Sequence, residues 1–239
     1  MKLKFLHLLF LFIGFLGFSQ ENVSYQTPPK EILALADYER APSISMDKER
    51  QYILFSYRNT YKNLEDLNQD EMKLGGLRIN PITNISSSVT YINNLKIRKF
   101  SDKNLTQVSD LPKNPRITNI SWSPNYKKIS FTQTTQKGVE LWVIDVASAS
   151  AKKLTEGIIN ANIGNPASWF NDSENILIRT LPANKPALID TLKDIPTGPT
   201  VSTSDGSKSQ NRTYQDLLKN KTDEANFESL ITSELYKVS

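Results

Sequence analysis

Histidine and cysteine decide first what chemistry this chain can perform. Its only histidine is His7, inside an apolar N-terminal run, and it has no cysteine at all. Beyond that run a Ser-His-Asp or Cys-His nucleophile arrangement cannot be assembled, nor a zinc site of the usual His/Cys type. No G-x-S-x-G, G-x-x-x-x-G-K-[ST] or G-x-G-x-x-G string occurs. The carboxylates Asp37, Asp47, Glu140, Asp145 and Asp190 are candidates for paired acid–base work on a glycoside. They share no motif spacing, however, and acidic residues are ordinary in turns. No catalytic, cofactor-binding or metal-ligating residue is assigned.

Four other groups have the right residue types for binding. Gly75-Gly76 could cradle a phosphate, but two glycines entering a strand more often mark a bulge or a close backbone approach. Lys96, Arg98, Lys99 and Lys103, alternating on a strand, read as a solvated face or a charged edge that blocks unwanted pairing. Trp122, Trp142 and Trp169 could stack a sugar or a peptide; their places in a repeat favour packing between sheets. Arg58, Arg78, Arg98, Arg116, Arg179 and Arg212 are the cations available to hold a carboxylate. The sequence singles out none of them.

The elements that must position such groups are strands. Ile117–Trp122 alternates, Ser123-Pro-Asn-Tyr126 turns, and Lys128–Thr132 is a second strand. Gln133–Gly138 reads as its polar connector, Val139–Asp145 as a third strand and Ala151–Thr155 as a fourth. The third is apolar on both faces, with Val139, Leu141 and Val143 on one and Trp142 and Ile144 on the other. Sheets stacked radially would bury both faces. Ser45–Leu54, Trp122–Phe131 and Trp169–Ile178 align without gaps as strand end, polar turn and apolar strand. The step of 47 residues from Trp122 to Trp169 suits propeller blades.

The fold class expected is therefore all-β: an incomplete β-propeller of about three four-stranded antiparallel blades plus the start of another. The blades are expected at roughly 43–110, 117–155 and 160–195. The first holds an insertion at Asn63–Asp70 and continues through Leu74–Pro81, Ser88–Ile92 and Leu95–Phe100. Short helices are expected near 30–37, with Ile32, Leu33 and Leu35 against a sheet, and near 213–228, with Thr213 or Thr222 as N-cap and Leu217, Leu218 and Phe227 seated on the propeller. Residues 196–228 read as a loop and helix insertion, and 229–239 as the truncated first strand of a further blade.

Met1-Lys-Leu-Lys4 followed by Phe5–Phe18 reads as a signal peptide over 1–19, and 20–42 as an extended lead-in. Export to the periplasm or the extracellular space follows, with no lipid-anchor cysteine and no span in the mature chain. Without Lys2 and Lys4 the chain carries 27 Lys and Arg against 25 Asp and Glu, which makes no electrostatic case for nucleic acid. No disulfide framework and no cofactor are expected.

Several strings resemble the glutamyl endopeptidase branch of the prolyl oligopeptidase superfamily. They are Tyr25–Leu33, Gly75–Asn84, Trp122-Ser-Pro124, Val139–Val146, Pro196–Thr200 and, most specifically, Arg212–Asn220. The resemblance implies a secreted or organellar serine peptidase with an N-terminal propeller and a C-terminal α/β-hydrolase domain that cleaves peptides after glutamate. No position of this chain matches that family's serine, aspartate or histidine, so its partners would be peptides met through a catalytic domain missing here. The alternative is a stand-alone periplasmic propeller that binds or scaffolds.

Overall fold

The computed structural model describes residues 26–190, 198, 201, 203, 206 and 214–239. The signal peptide assigned to 1–19, the Pro196–Thr200 string apart from Gly198, and Arg212 lie outside them. Met1–Tyr38 and Glu39–Ser239 are separate compact units. In the first, Pro28-Pro29 leads into helix α1, Lys30–Ala36. None of its residues is buried. Ile32, Leu33 and Leu35 are exposed.

The second unit is built of antiparallel strands in four sheets. Strands β1 (Ser43–Met46) and β2 (Tyr52–Tyr57) begin it. A short helix α2 (Leu64–Leu67) and strands β3 (Met72–Leu74), β4 (Leu77–Asn80) and β5 (Ile85–Ser86) follow. Then come β6 (Asn94–Lys99) and β7 (Thr106–Gln107). The next blade is β8 (Ile117–Trp122), β9 (Lys128–Thr135), β10 (Gly138–Asp145) and β11 (Ser150–Lys153). Strands β12 (Ala167–Trp169) and β13 (Ile176–Thr180), helix α3 (Lys221–Ile231) and strand β14 (Glu234–Val238) complete the order.

Blade one is the sheet β1-β2-β6-β7 and blade two the meander β8-β9-β10-β11. Blade three is β12-β13-β14, with three strands among the described residues. Leu54, Leu95 and Ile97 of blade one pack with Ile129, Phe131 and Ile144 of blade two. Val139 and Leu141, on the other face of blade two, pack with Ala167, Ile176 and Ile178 of blade three. The two-faced apolar pattern of β10 therefore has its cause: each face is the floor of a separate core. This is an all-β, incomplete propeller. No helix among the described residues is long and apolar enough to cross a membrane.

The hairpins that open the blades share one turn. The N–H groups of Asp47, Ser123 and Phe170 donate to the carbonyls of Tyr52, Lys128 and Asn175. Arg50, Tyr126 and Ser173 then take φ of 56°, 58° and 62°, and their N–H groups return to Asp47, Ser123 and Phe170. The structural equivalents are thus Met46, Trp122 and Trp169, paired with Ile53, Ile129 and Ile176. The ungapped alignment that set Ser45 beside Trp122 is one residue out of register. Backbone hydrogen bonding fixes this frame, and polarity alone does not reveal it.

Four further expectations need correcting. The insertion in blade one is larger than Asn63–Asp70: everything between Tyr57 and Asn94 leaves the blade, and β3-β4-β5 is a sheet of its own. Ser88–Ile92 is not a strand; only Ile92 bridges, to Ile117. The strand at Glu234–Val238 does not begin another blade but pairs along β13, from Ile176↔Val238 to Thr180↔Glu234. The expected connector at Gln133–Gly138 also shrinks to Gln136-Lys137, because Thr135 and Gly138 already pair.

Candidate functional site

Blades one and three each make a long excursion between their second and third strands, where blade two has only the turn Gln136-Lys137. The two excursions meet. Leu230 and Phe227 of α3 pack with Leu74, Ile79, Met72 and Leu77 of the β3-β4-β5 sheet. Asn220, rather than Thr213 or Thr222, caps α3, its Oδ1 accepting from the Asp223 N–H at 2.8 Å. Leu218 joins the contact while Leu217 stays exposed. Gly75-Gly76 is not a bulge. It is the two-residue turn of the β3–β4 hairpin, with φ of 58° and 79°. A Cβ on Gly75 would lie 2.8 Å from the Phe227 ring.

The blade-two-to-three connection ties this cap down. Asn160 and Asn162 donate from their amides to the Leu230 carbonyl at 3.0 and 2.8 Å, and Asn160 also donates to Thr232. Those are carbonyls at the C-terminal end of α3, which no helical N–H satisfies. Lys185 Nζ donates to Asn84 Oδ1 at 2.7 Å, and burial pulls this ammonium below the usual lysine range. Glu71 is held below the usual carboxylate range, first by the Ser87 hydroxyl and then by Arg78.

Beneath the cap lies a cleft of about 250 Å³ between α2, the loop after β4 and the β9–β10 hairpin. Arg116 stands in it, 2.8 Å from Asp66 and 3.5 Å from Glu65, with its guanidinium over the Tyr91 ring. Asn80 Oδ1 accepts from the N–H groups of Ile82 and Thr83 and so sets the loop. Nothing in the sequence marked this cleft, although Asn80-Pro81 is a turn signal. Its walls come together only when the excursion folds back on blade two.

The structure sorts the arginines by what they already hold. Arg78 pairs with Glu71 at 2.8 Å and reaches Asp216 at 3.9 Å. Arg116 is engaged as above, and Arg179 donates to the carbonyls of Ile163 and Asn165. Arg98 lies over the Phe55 ring with a buried, unpartnered Nε, on the same blade-one face as Lys96 over Tyr57. Arg58, half-buried where blade one's excursion begins, makes no ion pair with another described residue.

The carboxylates are dispersed. Asp47 accepts from the N–H groups of Gln51 and Tyr52, Asp145 from Ser148, and Glu140 from Trp142 Nε1 and Lys153. Each serves a turn or a strand pair, and no two of them face a common cavity as acid–base partners must. The tryptophans join blades. Trp122 Nε1 donates to Ser45 Oγ of blade one at 2.9 Å and Trp169 Nε1 to the Ser121 carbonyl of blade two at 3.2 Å. Trp142 stacks on Phe131 within the first inter-blade core.

Fold and site together define an all-β, propeller-like module whose blades carry a cap. The chain is 31% identical over 235 residues to a probable chloroplastic glutamyl endopeptidase of Oryza sativa, covering 92% of this chain and 25% of that protein. It is 29% identical over 236 residues to the Arabidopsis thaliana protein of the same name, covering 91% of this chain and 24% of that one. It is therefore related, along nearly its whole length, to proteins named glutamyl endopeptidase. The chain spans about a quarter of the length of the curated relatives it matches. No family model matches it. Among solved structures, Pyrococcus horikoshii acylaminoacyl peptidase shares 18% identity at a TM-score of 0.38, over 68% of this chain and 20% of that one. TolB of Agrobacterium tumefaciens shares 10% at 0.30, over 59% and 54%. Likeness at that level carries no argument about function.

Proposed function

We propose that this chain is the propeller portion of an exported serine endopeptidase of the glutamyl type, with the serine, aspartate and histidine carried on a part of the polypeptide outside these residues. The carrying observation is the 31% identity along 235 residues to a protein named probable glutamyl endopeptidase. The propeller's role is to limit access: only short or unfolded peptides pass it to reach a catalytic centre. The absence of any histidine after His7 fits a chain that does not itself carry the triad. If the propeller also supplies a cation to the substrate's glutamate, Arg58 and Arg98 have guanidinium donors to spare, whereas Arg78, Arg116 and Arg179 are already engaged.

The test is to express the whole coding region with this chain at its N-terminus and assay quenched peptides that differ only in Glu or Ala at the scissile position. Cleavage after Glu, with labelling by a fluorophosphonate, supports the reading. A product that neither labels nor cleaves overturns it. Export is checked on the same material: N-terminal sequencing of protein from the periplasm or medium should start near Gln20, and a retained Met1 would reject it.

A further inference from the structure

Thr83 and Thr134 both line the cleft beneath the cap, and both are almost wholly buried, at 6% and 2% exposure. Neither hydroxyl has a hydrogen-bond partner. Leaving a buried hydroxyl unsatisfied costs a folded chain stability, and proteins leave very few so. Two of them on the wall of one cleft point to a partner that arrives from outside. Rotation about χ1 exchanges a threonine's hydroxyl with its methyl, so either oxygen can be turned to the cleft with the backbone unchanged.

Charge selects the partner. Glu65 and Asp70 line the same cleft. The one cation among its lining residues, Arg116, pairs with Asp66 at 2.8 Å and reaches Glu65 at 3.5 Å, so the three carboxylates Glu65, Asp66 and Asp70 stand against one guanidinium and the surplus charge is negative. Arg116 is thus closed to a carboxylate ligand, and the free groups are acceptors. No group of three or more His, Cys, Asp or Glu able to hold a metal exists among the described residues, and a calcium ion wants six to eight oxygens. An ammonium group wants about three acceptors and a nearby negative charge.

We propose that this cleft binds a primary ammonium group, with the hydroxyls of Thr83 and Thr134 and the carboxylates of Glu65 and Asp70 as acceptors. The site goes beyond the peptidase reading and does not need it, since every group belongs to this chain. Two sources share the chemistry: the α-amine at the start of a peptide and the side-chain amine of a lysine.

The experiment uses the full chain and NMR of labelled threonine methyls, titrated with three probes. Glycinamide offers only an α-amine, Nα-acetyl-lysine amide only a side-chain amine, and acetylglycinamide neither. Saturable shifts at Thr83 and Thr134 with either amine support the site, and the better probe identifies the source. Asp70→Asn should weaken that binding roughly tenfold, as expected for a lost charge-assisted hydrogen bond. Thr134→Val supplies the second readout: it should raise the melting temperature of the free chain, by removing a buried unsatisfied hydroxyl, while weakening amine binding. Equal shifts with acetylglycinamide or calcium chloride, no shift with either amine, or a Thr134→Val chain that binds amine unchanged would each overturn the proposal.

Discussion

At the scale of single residues, the cap depends on one glycine. Gly75 has a left-handed φ of 58° and would place a Cβ 2.8 Å from Phe227, whereas on Gly76 the nearest neighbour would be 4.0 Å away. Gly76→Ala should cost only the left-handed penalty, about 1 kcal/mol, and Gly75→Ala about 2 kcal/mol or more because the ring must move as well. Urea denaturation of both variants checks this, and Phe227→Leu should recover the excess in the Gly75→Ala background. A second residue gives a pH signature. Asp172 is lowered to about 2, first by the Asn175 side chain and then by the backbone N–H groups of Asn175 and Glu174. Its folded value lies below its unfolded one, so its contribution is full above about pH 4 and fades as pH falls towards 2. The denaturation midpoint of the native chain minus that of Asp172→Asn should be constant at neutral pH and shrink through that window. A difference that stayed flat to pH 2 would mean the carboxylate contributes nothing through its charge.

At the scale of elements, the opening hairpins show how much the sequence disclosed. Their existence and polarity were legible because a Pro-Asn or Asp-rich turn between alternating runs is a local signal. Their frame was not, because the register rests on Arg50, Tyr126 and Ser173 adopting positive φ, and only Ser173 is of a type common in turns. These side chains are tolerated at some cost, which makes a prediction. Arg50→Asn should stabilise the chain by about 0.5 kcal/mol, since asparagine enters the left-handed region more readily. The same change at Tyr126 should gain less, because its ring also rests 6.3 Å from that of Trp122. Thermal melts of the two variants decide it. Long returns were illegible for a different reason. Strand β14 finds β13 only after the excursion that contains α3, and β6 finds β2 only after a whole small sheet. Alternation says which face of a strand is buried but not which strand lies beside it. The cleft was invisible on the same ground: Glu65, Thr83, Arg116 and Thr134 are far apart in the chain and share no periodicity.

At the scale of the whole module, the blades differ in what covers them. Blade two is closed on both faces by its neighbours. Blade one presents Ile44 at 65% exposure on the face that Lys96 and Arg98 partly cover, and blade three presents Leu235 at 65% with Leu177 beside it. Apolar residues on a sheet face next to unpaired backbone edges are a route to association. The 239-residue chain expressed alone should therefore self-associate as concentration rises, and sedimentation velocity should show it. Ile44→Lys and Leu235→Lys place a charge on each open face without touching either inter-blade core, so each should cut association while leaving the melting temperature within a few degrees. Thr90→Lys, at an exposed position in blade one's excursion, serves as a control that adds the same single positive charge without altering either outer face. If all three variants associate alike, the exposed faces are not the contact surfaces, and the covering that the propeller reading assigns to further blades would have to be sought elsewhere on the molecule.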